Sequence, residues 1–176
     1  GSDSATAEDV ELVGGALQID QTGDVYIGDS TRIWKYTTSG SWSRIAGSLT
    51  SGFSGDGGPA VQATFSGIDG MCVDAQGDLY IADSRNTRIR KVDPSGIVST
   101  FAGVTQSVMS SPPGSIYTPG KMALSSSGRL YSSRFTDIAN AFGIMYFDLG
   151  NNNAPMEFRV KDRGFGKFLP ICRHHC

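Results

Sequence analysis

The stretch that decides the fold is VDAQGDLYIADS at residues 73–84, because IDQTGDVYIGDS at residues 19–30 is a close copy of it. The two copies are offset by a constant 54 residues. Downstream of each copy the match continues, since TRIRKV at 87–92 repeats TRIWKY at 31–36. An internal repeat therefore organises the chain, and it has to be recognised before any local structure is assigned.

A weaker third copy follows, with LSSSGRLY at 124–131 answering residues 73–80 and IMYFD at 144–148 answering residues 89–93. Short runs rich in Val, Ile, Tyr and Phe alternate with turn residues in each copy, which is typical of β-strands. Gly77 is suited to a positive φ in the turn between two strands. The sequence predicts an all-β fold with four antiparallel strands per copy, near 70–74, 78–82, 88–92 and 97–102 in the second. Such units at this period are typical of β-propeller blades.

Two stretches resemble a known family. Residues 74–92 resemble the core of an NHL repeat, and GFSGDGGPA at 52–60 resembles the inter-blade loop of extracellular, teneurin-like and bacterial members. The resemblance covers residues 12–104 well and 116–160 weakly. It implies a partial or open propeller of about three blades. The predicted division is an acidic segment at 1–11, blades at 12–61, 62–112 and 113–160, and a basic tail at 161–176 containing Cys and His.

The NHL resemblance also implies a structural ion pair in each good copy. Asp83 with Arg88 is the pair in the second copy, and Asp29 with Arg32 repeats it in the first. The third copy has Arg134 at the acid position and Gly143 at the base position, so both partners are lost together. A carboxylate and a guanidinium at fixed separation tie neighbouring strands together by charge-assisted hydrogen bonds.

Tyr26, Tyr80 and Tyr131 occupy one position in the three copies. We interpret them as packing between blades rather than as a stacking surface for sugars or bases. Trp34 and Trp42 have no aromatic counterpart in the second copy and are the candidates for exposed contacts. The tail is too apolar for a solvated terminus, and its candidate contact residues are Phe165, Phe168 and Leu169.

The glycine-rich segment at 55–58 invites a phosphate-loop or calcium-loop interpretation. No helical pattern follows the glycines, and Asp56 is the single acid there, so a tight inter-blade connector is favoured. Cys72 is expected to be an inert core residue. For Cys172 and Cys176, a disulfide between them or a bridge to another chain is favoured, with free thiols as the alternative. Adjacent His174 and His175 fit poorly around one ion, so we expect no metal.

We expect no catalytic residues and no cofactor, so the chain is predicted not to be an enzyme. Its two histidines both lie in the tail, and no G-x-S-x-G elbow occurs. A net charge of −2 argues against nucleic acid, and no apolar run is long enough for membrane insertion.

The sequence therefore predicts a module for protein–protein contacts or self-assembly, whose partner is another protein or other copies of itself. Three blades leave open faces that a partner must cover. The segment from Asp3 to Glu11 is acidic and the segment from Arg159 to Arg173 is basic, which favours a contact between the two ends. The NHL resemblance and the composition favour an extracellular or cell-surface location. A fragment of a propeller enzyme and a cytoplasmic sensor or scaffold domain are the alternatives.

Overall fold

A computed structural model describes residues 15–103, 118–136, 141–149, 157–161 and 168–170. In this part of the chain the secondary structure is β-sheet with two short 3-10 helices, Ala60–Gln62 and Ser84–Asn86. The alternation of apolar strand residues with Asp-, Gly- and Ser-rich turns produces this architecture. The all-β prediction is confirmed.

Within the described ranges, thirteen strands form three antiparallel sheets. The first sheet contains β1 (Ala16–Ile19), β2 (Val25–Gly28), β3 (Arg32–Tyr36) and β4 (Trp42–Gly47). The second contains β5 (Ile68–Val73), β6 (Leu79–Asp83), β7 (Arg88–Val92) and β8 (Val98–Gly103). The third contains β9 (Thr118–Leu124), β10 (Arg129–Thr136), β11 (Ala141–Asp148), β12 (Glu157–Lys161) and β13 (Phe168–Pro170).

Each sheet is a meander in which every strand pairs with the next strand in sequence. The four strands of the second sheet lie within two residues of the predicted positions, and Gly77 has the expected positive φ of 86°. The third sheet differs because it has a fifth strand, β13. This strand comes from the segment that the sequence analysis assigned to the tail, where a four-strand repeat predicts no strand.

The first and second sheets pack face to face around a buried apolar cluster. The first sheet contributes Ala16, Tyr26, Ile33 and Ala46. The second sheet contributes residues from the facing side of its strands, namely Met71, Leu79, Ile81, Val92 and Val98. Phe65, from the connection between the sheets, is also fully buried in this cluster. A continuous core of this kind is what joins consecutive blades.

A second cluster joins the second sheet to the third. It contains Cys72, Tyr80 and Ile89 from the second sheet and Leu130 from the third. Phe101 meets Tyr80 and Phe147 edge to face, with ring centroids 5.0 and 5.2 Å apart. Tyr26 and Tyr80 thus fill equivalent places in the two interfaces, which confirms for both the prediction that they pack between blades.

The first strand of each sheet lies beside the first strand of the next, so that β1 contacts β5 and β5 contacts β9. At Gly70 on β5 the approach is so close that a Cβ atom would collide with the backbone of Gly120 and Met122 on β9. The N–H groups of Gly67 and Ile68 both donate to the carbonyl of Ser30 in the first sheet. Sheets fanned about their first strands form a partial β-propeller.

Candidate protein-binding surface

In the first sheet, Asp29 and Arg32 are in direct contact across the turn between β2 and β3. Oδ2 of Asp29 accepts hydrogen bonds from Nε of Arg32 at 2.8 Å and lies 2.7 Å from its Nη2. The other carboxylate oxygen accepts from the backbone N–H groups of Thr31 and Arg32, at 2.8 and 2.7 Å. The carboxylate therefore organises the turn as well as binding the guanidinium.

In the second sheet, Asp83 and Arg88 are directly opposite in the register of β6 and β7, but the ion pair of Asp83 is with Arg90. Oδ2 of Asp83 lies 3.5 Å from Nη1 of Arg90. The guanidinium of Arg88 lies over the ring of Phe53 at 3.7 Å. The two copies thus use the same acid position with arginines from different register positions.

Asp83 is completely buried, and its carboxylate is surrounded by donors. It accepts hydrogen bonds from the backbone N–H of Ser66 at 2.7 Å and from Nδ2 of Asn86 at 2.8 Å. Burial raises the pKa of Asp83, while these hydrogen bonds and the charge of Arg90 oppose the increase. Asn86 also donates to the carbonyl of Gly52 at 2.8 Å. Asp83 therefore links β6 to the loop that enters the blade.

The charged centre of this blade is Arg90, whose side chain is completely buried. Its Nη2 lies 2.6 Å from Oδ1 of Asp56 and donates to the carbonyl of Ser54 at 3.0 Å. Its guanidinium lies 4.7 Å from the ring centroid of Phe53 and 5.2 Å from that of Phe65. These contacts, which we call the loop clasp, bind the 52–60 loop to the second sheet.

The sequence analysis interpreted the 52–60 loop as a connector and assigned no partner to Asp56. One signal was available, because Arg90 stands at the position where the first copy has Trp34, and its register partner on β6 is the apolar Ile81. A charge at such a position requires a partner from elsewhere in the chain. The spacing of 34 residues between Asp56 and Arg90 gave no indication of that partner.

A second polar network recurs at the turn between the first two strands of the first and second sheets. In the first sheet, Tyr26 donates to Oδ2 of Asp20 at 3.1 Å, and Lys35 lies 2.9 Å from Oδ2 of Asp24. Partial burial acts to lower the pKa of Lys35, but its contacts with Tyr26 and Asp24 outweigh this and the pKa is raised.

The second sheet repeats this network with equivalent residues. Tyr80 donates to Asp74 at 3.3 Å, and Lys91 lies 2.5 Å from Asp78. These acids flank turns, and the structure shows that they also bind the tyrosine and lysine of their own blade.

The candidate contact residues occupy different environments. Trp34 is only 8% exposed, with Arg32 5.9 Å from its ring centroid, so it does not present a free surface. Trp42 is half-buried and packs against Tyr36 with ring centroids 4.9 Å apart. Phe168 and Leu169 lie on β13, opposite Lys161 and Val160. The remaining candidates of the tail, Phe165, Cys172 and Cys176, lie outside the described residues.

An apolar surface is exposed on the side of the first sheet that faces away from the second. Leu17 is 66% exposed, and Ile19 and Tyr36 are also exposed. Val25 and Ile27 on β2, the register partners of Ile19 and Leu17, are half-buried. We call Leu17, Ile19, Val25, Ile27 and Tyr36 the open face. Contiguous exposed apolar residues of this kind mark interaction surfaces.

Within the ranges that the structure describes, no three His, Cys, Asp or Glu residues are grouped so that they could hold a metal ion. In the same ranges no helix has the length and apolar character needed to cross a membrane.

The sheet topology, the repeated Asp and Tyr contacts and the glycine-rich loop define the described region as blades of a partial β-propeller that resemble NHL repeats. Residues 48–127 match the teneurin NHL domain family. Over 49 residues the chain is 51% identical to teneurin-3 of Mus musculus and 49% identical to teneurin-3 of Danio rerio. Each match covers 28% of this chain and 2% of the teneurin. The resemblance to teneurin-like NHL repeats is confirmed.

Solved structures agree with this fold. A protein of unknown function from Bacteroides thetaiotaomicron matches with a TM-score of 0.51 and 26% identity, over 62% of this chain and 29% of that protein. A gluconolactonase from Xanthomonas campestris matches with a TM-score of 0.54 and 10% identity, over 92% of this chain and 58% of the enzyme. At this low identity the second match concerns the fold alone.

Proposed function

We propose that this chain is a non-enzymatic module for protein–protein contacts, including contacts between copies of itself, and that it acts outside the cell or at the cell surface. The observation that carries the proposal is the open face. In the second sheet the equivalent positions of Leu17 and Ile19 are Met71 and Val73, which pack in the interface with the first sheet. The first sheet therefore exposes an apolar face whose equivalent in the second sheet is buried.

The charged side chains support the same function. In the second blade, Asp56 and Asp83 both bind Arg90, and Asp78 binds Lys91. These groups stabilise strands, turns and loops, whereas Leu17, Ile19 and Tyr36 on the first sheet are exposed and apolar. An apolar surface is suited to burying a protein partner.

The extracellular location rests on the resemblance of the 52–60 loop to extracellular NHL propellers and on the match to the teneurin NHL domain. The enzymatic alternative is favoured by the fold similarity to a gluconolactonase. That similarity concerns the fold and identifies no catalytic residue in this chain. The side chains of this chain support the binding function instead.

Photo-cross-linking from the open face tests the function. Ile19 is replaced by benzoylphenylalanine, the chain is irradiated in extracellular fluid of its source, and covalent adducts are identified by mass spectrometry. We expect protein adducts, either with other proteins or with further copies of the chain. The control carries the photoreactive residue at Leu49, which is 82% exposed but lies on the loop after β4, and should give few adducts.

Equal or absent adducts at the two positions would contradict the proposal. Adducts that form only in cytosolic extract would support the cytoplasmic alternative instead. Lactonase or lyase turnover that is lost on substituting a blade residue would support the enzymatic one.

A further inference from the structure

We propose that Asp56 is a site of spontaneous isomerisation to isoaspartate, and that the loop clasp sets the rate of this modification. The chain contains two Asp–Gly pairs, at 56–57 and at 69–70. This reaction is easiest at Asp–Gly, because glycine has no side chain to hinder the approach of its own amide nitrogen. The two pairs have different surroundings, and these surroundings decide which of them reacts.

The reaction takes place within the Asp–Gly pair and needs only water. The amide nitrogen of Gly57 bonds to Cγ of Asp56, and one carboxyl oxygen leaves as water with the amide proton and a proton from solvent. Hydrolysis of the cyclic succinimide then consumes one water molecule and releases a proton. Opening at Cγ restores aspartate, whereas opening at the former backbone carbonyl carbon gives isoaspartate, in which the main chain runs through Cβ and Cγ.

The first pair lies in a loop that has room to rearrange. The Asp56 side chain is 40% exposed, and Gly57 is exposed as well. Gly57 has a φ of +81°, and nothing lies within 4 Å of the place where a Cβ atom would stand. The N–H of Gly57 donates to the carbonyl of Val98 at 2.8 Å, and the N–H of Val98 donates to the carbonyl of Gly58 at 3.0 Å. Exposed loop segments of this kind open at a lower free energy than core strands do.

The second pair is fixed within the fold. Asp69 and Gly70 belong to β5, which pairs with β6 and lies beside β9. Gly70 is buried, and its backbone is so close to β9 that a Cβ atom would collide with the backbone of Gly120 and Met122. The amide of Gly70 therefore has no space in which to turn toward the Asp69 side chain. This packing should prevent the reaction at Asp69, although Asp69 itself is exposed.

The loop clasp holds both reacting groups of the first pair. Oδ1 of Asp56 lies 2.6 Å from Nη2 of Arg90, and Oδ2 accepts a hydrogen bond from the hydroxyl of Thr100 at 2.6 Å. The reacting nitrogen of Gly57 is held by Val98. Attack requires that the carboxyl group turns toward Gly57 and that the N–H leaves Val98. The rate of isomerisation should therefore follow the opening of this loop.

Isoaspartate at residue 56 would break the clasp. The modification adds one methylene group to the main chain and leaves the carboxylate on a side chain that is one carbon shorter. The carboxylate can then no longer bind Arg90 and Thr100 from the same backbone position. The completely buried Arg90 would keep Asp83, at 3.5 Å, as its ion-pair partner. The modification should therefore weaken the joint between the first and second sheets as the protein ages.

Peptide mapping of aged protein tests the proposal. The full chain is kept for several weeks at physiological pH and temperature, in its native state and in denaturant. Electron-transfer fragmentation then distinguishes isoaspartate from aspartate at each Asp–Gly pair. In denaturant both pairs should convert at similar rates, because the dipeptide is the same. In the native chain isoaspartate should accumulate at residue 56, more slowly than in denaturant, and it should not accumulate at residue 69.

Thr100→Val tests the role of the clasp, because it removes the hydroxyl that binds Asp56 and keeps a side chain of similar shape. The variant should accelerate native conversion at residue 56 at least about fivefold, since it removes a hydrogen bond to a charged group. The rate in denaturant should not change. Thr38→Val, in the turn between β3 and β4, is the matched control and should leave the native rate unchanged.

Asp56→Glu tests the consequence for stability. It keeps a carboxylate, but its cyclisation would need a six-membered ring, so it should not isomerise on this timescale. Unfolding of aged wild-type chain in urea should show a destabilised fraction that grows with age. Aged Asp56→Glu should lack this fraction.

Three results would overturn the proposal: no isoaspartate at residue 56 of the native chain while the denatured chain converts, equal native conversion at residues 56 and 69, or a native rate that is insensitive to Thr100→Val. Circular dichroism confirms that each variant has folded. If Thr100→Val does not fold, low concentrations of urea on the wild-type chain replace it, because urea favours opening without a substitution. Native conversion at residue 56 should then increase with urea, and a constant rate would overturn the proposal.

Discussion

Asp56 and Arg90 are 34 residues apart in sequence, yet Oδ1 of Asp56 lies 2.6 Å from Nη2 of Arg90. The pair joins the loop between two blades to the middle of the second blade. Thr100 on β8 adds a hydrogen bond to the other carboxylate oxygen at 2.6 Å. Since Arg90 is completely buried, this contact neutralises a charge that the apolar core would otherwise have to hold.

Asp56→Ala should lower the free energy of unfolding by about 2 kcal/mol, the usual range for a hydrogen bond to a charged group. The larger cost of leaving a buried charge uncompensated does not apply in full, because the buried Asp83 stays 3.5 Å from Arg90 and Asp56 itself is 40% exposed. Chemical denaturation measures the change. Asp69→Ala, which removes another exposed acid near the blade joint, is the control and should cost much less. Equal losses of unfolding free energy in the two variants would contradict a stabilising role for Asp56 in the loop clasp.

Asp83→Ala should destabilise the protein far more than Asp29→Ala, although the two residues are equivalent in the repeat. Removing the buried Asp83 leaves Arg90 less compensated and should cost about 3–5 kcal/mol. Asp29 binds a partly exposed arginine, and its loss should cost about 1 kcal/mol. Unfolding curves of the two variants, compared with wild type, provide the measurement. Similar values would show that burial does not set the difference.

Cys72 should be unreactive in the folded protein. Burial, with a smaller effect of Asp74, raises the pKa of its thiol to about 12. The thiolate is the nucleophile, so alkylation near pH 8 should be at least about a thousandfold slower in the native chain than in denaturant. Mass spectrometry of the peptide that contains Cys72 separates it from the other cysteines. Rapid native alkylation would mean that the cluster between the second and third sheets opens readily.

Asp24 should contribute to acid sensitivity. Its hydrogen bonds with Lys35 and the N–H of Thr38 hold its pKa below the usual 3.8. A carboxyl with a depressed folded-state pKa stabilises the fold above its unfolded-state pKa, and this contribution is lost as pH falls through the folded-state value. Asp24→Asn should therefore flatten the fall of Tm below about pH 4. Lys35→Met should also flatten the fall of Tm. If the slope of Tm against pH is unchanged in both variants, the depressed pKa of Asp24 does not contribute to acid sensitivity.

The sequence by itself determined the strands and turns of the first two repeats and the number of repeats. Residues 19–36 and 73–92 carry matching strand and turn signals, and such signals act over a few residues, so they can be read without a fold. Tyr26 and Tyr80 were correctly placed between blades because equivalent positions in a repeat face equivalent neighbours. The fifth strand, β13, was not predicted because the third copy is degenerate and its last strands have no counterpart to match.

The tertiary structure alone decided which arginine pairs with Asp83 and which faces are covered. Asp83 has both Arg88 and Arg90 near it in sequence. Which of them forms its ion pair depends on how Phe53, Phe65 and the 52–60 loop pack between the first and second sheets. The exposure of Leu17 and the burial of its counterpart Met71 depend on which sheet has a neighbour on that side. Strand formation depends on local pattern, whereas ion pairing and burial depend on packing between segments distant in sequence, which the local pattern does not encode.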